Sequence, residues 1–343
     1  MRRNCRKLFV ALCLCLSSRL MAQDIHLSQF YETPILRNPA LIGLFNGDYR
    51  VQAVYRNQWN SVTIPYQTGA VSGELKFPIG RGEDFLTTGA QFTYDRAGTA
   101  KLQAVQILPA INYHKSLSEV KNMFLSVGFM GGFVQRQFDA TKLTFNNQYT
   151  NGRYDPTVAS GEEGRLALRG YGYWDAGAGI SFNSTIGEDV NYYIGAALFH
   201  FNRPRVSFYK DNSITMDPKY TFNAGITIPM EDRLKLIAQY NEIHEGAYSE
   251  YNGGAILGYM LYNEGLESTR GIYGGVFVRW GDAVIPTMRL DMDKYEISMT
   301  YDCNISKLKT ASQSFGGFEL ALVFKGFLNS RNSTLDAVHC PRF

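Results

Sequence analysis

The five histidines of this 343-residue chain, His26, His114, His200, His244 and His339, are the side chains best suited to proton transfer or metal binding. They are scattered, and none falls in the H-E-x-x-H spacing that sets two imidazoles and a carboxylate on one helix face. No G-x-S-x-G elbow, Walker loop or helix-opening G-x-G-x-x-G occurs. A hydrolase would have to assemble Ser and His from neighbouring strands, and sequence order nominates no pair. Asp291 and Asp293 share a turn, but two carboxylates fall far short of the roughly 6–8 oxygens of a calcium shell. Asn183, Asn304 and Asn332 each begin an N-x-S/T triplet, which carries little weight at this length. No catalytic group, metal or cofactor is therefore expected. What remains are polar and aromatic residues grouped for contact. Ser28, Gln29, Phe30, Tyr31, Asn38 and Pro39 lie in QDIHLSQFYETPILRNPALIG (23–43), and Tyr55, Arg56, Asn57 and Trp59 lie in YRNQW (55–59).

The elements that must position these residues start behind a leader. Arg2, Arg3, Arg6 and Lys7 precede the apolar run LFVALCLCLSS, and LMA ends on the small residue Ala22, the pattern of a secretory signal. Leu20 is larger than usual at the −3 position. Cys13 and Cys15 each follow Leu rather than a small residue, which disfavours a lipoprotein signal. Five of the 34 basic residues precede Ala22, leaving 29 against 31 acids, so the mature chain is near −2. That balance gives no support to nucleic-acid binding. Only Cys303 and Cys340 remain after the leader, allowing one bridge and requiring none.

Most of the rest alternates with period two, the mark of strands with two unlike faces. In KYEISMTYD, Tyr295, Ile297, Met299 and Tyr301 face one way, and Glu296, Ser298, Thr300 and Asp302 the other. About fourteen such stretches begin near residues 49, 68, 85, 101, 123, 171, 191, 219, 233, 250, 270, 284, 294 and 315. Turn signals such as 80–84, 95–98, 187–189 and 291–293 separate them, and the connections at 139–170 and 201–218 are long and polar. An even strand number and unequal loops suit an outer-membrane barrel. A soluble β-sandwich or propeller also alternates. Two features favour the membrane: aromatics toward strand ends (Tyr113, Tyr192-Tyr193, Tyr259, Tyr262, Trp280, Tyr301) and glycines inside strands (Gly128, Gly131-Gly132, Gly177, Gly179, Gly253-Gly254, Gly274-Gly275), where barrel curvature gives glycine a role. Pro109 and Pro286 are expected at bulges or strand ends.

The ordered motifs resemble a family. The segment 23–43 is followed by YRNQW, DPKYTFNAGITIP (217–229), GGVFVRWGDAVIPTMRLDMDKYEISMTYDCNISKLK (274–309), GGFELALVF (316–324) and a closing CPRF (340–343). Together they are similar to the PorP/SprF outer-membrane proteins of Bacteroidota, associated with type IX secretion and gliding. The resemblance implies a barrel that partners secretion components. It also implies a large secreted surface protein with a type B C-terminal domain, or a peptidoglycan-binding periplasmic lipoprotein, as partner. The alternative is a porin or fatty-acid-type channel.

The expected organisation is a signal peptide (1–22), an N-terminal segment (23–47), an all-β transmembrane barrel of about fourteen antiparallel strands (48–328) and a tail (329–343). The segment is expected to fold into the periplasmic mouth as a short plug, with Phe30, Tyr31 and Ile35 against the lumen; a flexible linker is the competing reading. YRNQW is either a girdle anchor or a partner contact.

Overall fold

The computed structural model describes residues 24–328 apart from 60–63, 81–82, 119–121, 163–168, 188, 210, 232, 262–269 and 307–308. The leader and the tail, with Cys340 and CPRF, lie outside the described residues. Fourteen strands among the described residues close into one antiparallel barrel. They are β1 (Tyr49–Gln58), β2 (Tyr66–Pro78), β3 (Phe85–Ala97), β4 (Leu102–Ser118), β5 (Met123–Gln137), β6 (Gly170–Ile186), β7 (Val190–Phe199) and β8 (Lys219–Glu231). The set is completed by β9 (Leu234–Glu245), β10 (Tyr248–Leu261), β11 (Arg270–Arg279), β12 (Ala283–Met292), β13 (Tyr295–Asn304) and β14 (Phe315–Gly326). Every strand pairs with its neighbours in sequence, and β1 closes on β14 from Tyr49↔Gly326 to Gln58↔Gly317. The strands run from 10 to 17 residues, some longer than a tilted span of about 9–11 requires.

An even strand count returns the chain to the end where it entered. That end carries short turns, as at 293–294, while the long connections 138–169 and 200–218 both lie at the other end; following the usual arrangement of outer-membrane barrels, the first is called inner and the second outer. The described residues of the longer one form short 3₁₀ turns and a two-residue ladder, Tyr149–Thr150 with Arg153–Tyr154. The other folds back on the rim, where Phe208 meets Phe138 and Tyr171 edge-on.

Burial is inverted relative to a soluble protein. Val71 is 50 % exposed while its neighbour Ser72 is 4 %, and Phe222 is 48 % against 3 % for Asn223. The polar face of each alternating stretch points into the lumen, and the apolar face points outward to lipid. A sandwich or propeller buries the opposite set, so the soluble reading falls here.

Pro109 and Pro286 differ from expectation. Each lies inside a strand, with no bulge: Ile107↔Phe133 and Ala110↔Met130 keep one register, as do Val284↔Cys303 and Thr287↔Thr300. Both rings face outward. A missing N–H removes a bond from one ladder only, because each proline still pairs on its other side, with Ala90 and Val276. Tyr113, Tyr259 and Trp280 are exposed near strand ends, but Tyr193 turns into the lumen and is buried. Tyr262 lies outside the described residues.

Candidate functional site: the occupied lumen

The lumen holds the N-terminal segment. Between Phe30 and Leu41 the chain makes three short turns, Phe30–Glu32, Pro34–Arg37 and Pro39–Leu41. The last follows from local sequence. Asn38 caps it, its Oδ1 accepting from Ala40 N–H at 2.9 Å, and Pro39 supplies the first position, where a missing N–H costs nothing. Apolar side chains then pack on opposite walls. Phe30 joins a cluster with Ile237, Ile256, Tyr273 and Phe277, while Ile35 and Ile42 join another with Leu108, Met130 and Phe199. Tyr31 meets Phe30 edge-on and Phe277 at a tilt.

The middle of the segment is held through its own carbonyls and amides. Asn112 Nδ2 donates to the carbonyls of Ala40 (2.9 Å) and Ile42 (2.8 Å), and Ser181 Oγ donates to Ala40. Asn38 Nδ2 donates to Asn223 Oδ1 at 2.9 Å. Arg37 donates to Asn241, Gln239 and the Tyr240 carbonyl, with its guanidinium over the rings of Phe30 and Tyr193. Strand glycines make room for this contact. A Cβ on Gly128 would lie 2.4 Å from the Pro39 carbonyl, and one on Gly179 would lie 2.0 Å from Asn38 Oδ1. At these positions glycine admits the segment to the wall, a closer constraint than curvature alone.

Toward the inner end, Gly43 sits at φ 88°, with its N–H donating to Glu74 Oε2 at 2.8 Å. A Cβ there would strike Thr87 and His114. His114 is fixed by Ser126 Oγ at 2.7 Å from Nδ1 and by Asn112 at 2.9 Å from Nε2. This Ser–His pair is fully buried beneath the segment, and neither imidazole nitrogen meets a carboxylate among the described residues.

The outer end is a cluster of buried charges. Glu319 takes two successive backbone donors, Ser28 N–H at 2.7 Å and Gln29 N–H at 2.8 Å. Ser28 Oγ donates to Asp302 at 2.6 Å and accepts from Arg56 and Arg279. Arg56 pairs with Glu319 and Asp302, and Arg279 with Asp302. Asp24 pairs with Lys219 and lies 3.7 Å from His200, which holds Asp175 at 2.8 Å. The segment is thus not confined to the periplasmic mouth: Asp48 stands at the inner end, bonded to Gly326, and residues 24–29 reach the outer end.

All ten contact candidates are therefore placed. Ser28, Gln29, Phe30, Tyr31, Asn38, Pro39 and Arg56 meet in the lumen. Tyr55 faces outward, 42 % exposed. Asn57 is half-buried in β1, and Trp59 packs edge-on against Tyr66 at the outer rim. YRNQW thus divides between the two faces of one strand. The partners that sequence reasoning passed over are Arg279, Asp302 and Glu319. Their signal was present: charges on the inward register of strands read as barrel strands.

Two histidines titrate against this arrangement. Burial, with Arg56 and Arg279 nearby, pushes His26 down to about 4, although Glu250 and Asp302 act in the other direction. Burial opposes charge on His200 too, but Asp175 and Asp24 more than offset it and lift the group to about 9. Docking strength from a depressed histidine is complete above its free value of 6.5 and is lost as pH falls toward 4. Asp175 stays beside His200 when the segment leaves, so only the part of its upward shift owed to Asp24 counts toward docking, and that part is lost as pH rises through 9. Hydrogen exchange at Ser28 and Gln29, corrected for its intrinsic pH dependence, should show strongest protection near neutrality and loosening below pH 5 and above pH 9.

A closed antiparallel barrel with apolar residues outside and a polar, occupied lumen is an outer-membrane β-barrel. The chain belongs to the PorP/SprF family of type IX secretion system membrane proteins, whose family model matches residues 20–324. Among solved structures it is similar to the Pseudomonas putida toluene transporter TodX (TM-score 0.49, 9 % identity, covering 87 % of this chain and 95 % of that one). It is also similar to the CymD monoaromatic hydrocarbon channel (TM-score 0.43, 13 % identity, 86 % and 92 %) and to BamA of Haemophilus ducreyi (TM-score 0.40, 8 % identity, 81 % and 70 %). No curated protein matches.

Proposed function

We propose that the protein is a non-enzymatic barrel of the type IX secretion system that docks, helps export or anchors a secreted cell-surface protein carrying a type B C-terminal domain. The other role within this reading is that it links the translocon to periplasmic components such as a peptidoglycan-binding lipoprotein; in either role residues 1–22 are removed on export. The observation that carries the reading is the family match over residues 20–324. The occupied lumen supports it against an open channel: residues 27–30, 32–35 and 37–45 are all buried inside the barrel wall. The buried Ser126–His114 pair supports the non-enzymatic part, since the segment covers it.

In this reading residues 24–48 are a plug, and the outer connections 138–169 and 200–218 carry specificity. Exposed Tyr149 and Tyr209 on those connections are suited to a protein contact. The test is to purify the solubilised protein from its native outer membrane and identify co-eluting proteins by mass spectrometry. A large secreted protein or type IX components are the expected companions, and a clean, partnerless barrel counts against docking.

A further inference from the structure

Residues 24–29 are held differently from the rest of the segment. Residues 24–27 have no regular structure and Ser28 and Gln29 begin a turn, and their anchors are wall groups that would read many peptides able to turn in the same way. Glu319 takes two consecutive backbone N–H groups, a contact independent of sequence. Arg56 and Arg279 converge on one hydroxyl, that of Ser28. Lys219 and His200 face one carboxylate, that of Asp24, four residues earlier. Between them Leu27 fills an apolar pocket made by Val54 and Ala321. The site lies at the base of the outer connections, His200 being the first residue of one of them.

We propose that this is a peptide-exchange site. A stretch of the exported surface protein, with an acidic residue four positions before Ser or Thr, an apolar residue just ahead of the hydroxyl and a turn at the hydroxyl residue, displaces residues 24–29. It takes over their contacts while residues 30–48 stay seated. The inference rests on the docking reading above. Exchange swaps like for like: the wall's Arg56 and Arg279 balance Asp302 and Glu319, and the carboxylate leaving Lys219 and His200 is replaced by another. No buried charge is stranded, which removes the main cost of opening such a site. Strand-borne groups are also preorganised, so binding orders the peptide alone.

The test uses the full chain in detergent and a labelled peptide of residues 24–29, DIHLSQ. Changing Asp24→Asn with Ser28→Ala weakens the resident segment but leaves the wall intact, and should raise peptide affinity roughly tenfold. Adding Lys219→Met to that variant removes a contact that only the peptide's own Asp24 still makes, and should take the gain back. Leu27→Cys with Ala321→Cys, oxidised, ties the segment down and should abolish binding, with recovery on reduction. A purely structural cluster would give no gain in the first variant, or none that Lys219→Met takes back. That outcome, or equal binding by the oxidised and reduced lock, overturns the proposal. Capture of the surface protein from native membranes should follow the same lock. Peptide exchange with no captured protein in either state instead defeats the docking reading.

Discussion

Valine at position 128 drives residues 38–41 off the barrel wall. A Cβ at Gly128 would lie 2.4 Å from the carbonyl carbon and oxygen of Pro39 and 2.5 Å from Ala40 N, all backbone atoms, so no side-chain rotation relieves the clash. Gly128 pairs with Gly179 across the β5–β6 ladder, where a Cβ would strike Asn38 in the same way, so the wall cannot pass the strain sideways. Overpacking of this kind costs about 1–3 kcal/mol, which raises the open population of the segment by roughly 5–150-fold. Trypsin reports the change. Arg37 is buried and its guanidinium is spoken for, so cleavage after it requires the segment to leave. Cleavage should accelerate in Gly128→Val while the barrel keeps its heat-modifiable migration. Gly274→Val is the control, because a Cβ at Gly274 meets nothing within 4 Å. Equal cleavage of the two variants would remove the glycines from this account.

Alanine in place of Arg56 unbalances the outer end. Arg56, Arg279, Asp302 and Glu319 form a neutral quartet with side chains no more than 3 % exposed. Taking away one cation leaves two carboxylates facing one arginine in a closed space, a loss of about 3–5 kcal/mol when one partner of a buried pair is removed. The strand ladder of β1 makes its bonds through backbone and persists. The loss therefore falls on the contact with Ser28 and Gln29. Hydrogen exchange at those two amides, both donated to Glu319, should speed up by about a hundredfold or more. Arg56→Met with Glu319→Gln restores charge balance and should recover part of the protection. Slow exchange in Arg56→Ala would show that the quartet does not hold the segment.

Local signals made the barrel legible. Strand periodicity is a property of consecutive residues, and the fourteen stretches begin within two or three residues of the strands found, because the outward face had to be apolar along each span. The prolines were misplaced because a strand was treated as needing every N–H. Pro109 and Pro286 face lipid and leave one ladder intact, so the barrel absorbs them. Tyr193 was grouped with a girdle on its position near a strand end, yet register, not position, decides the face, and its hydroxyl bonds Gln239 inside.

The occupied lumen was harder to read. Asn38 meets Asn223, and Asn112 meets Ala40, across 185 and 72 residues of sequence, and no periodicity reports contacts of that range. Two clues were nonetheless local. Asn38-Pro39 writes a capped turn where a flexible linker would have no use for one. Gly128 and Gly179 fall on the inward register, where curvature alone does not demand the loss of a side chain.

Conductance across a planar bilayer tests the claim that this barrel is a closed scaffold. The full chain, reconstituted alone, should give no steady ohmic current, and removal of residues 24–40 should open it. Steady conductance from the full chain, equal to that of the shortened one, would show that the segment does not close the lumen.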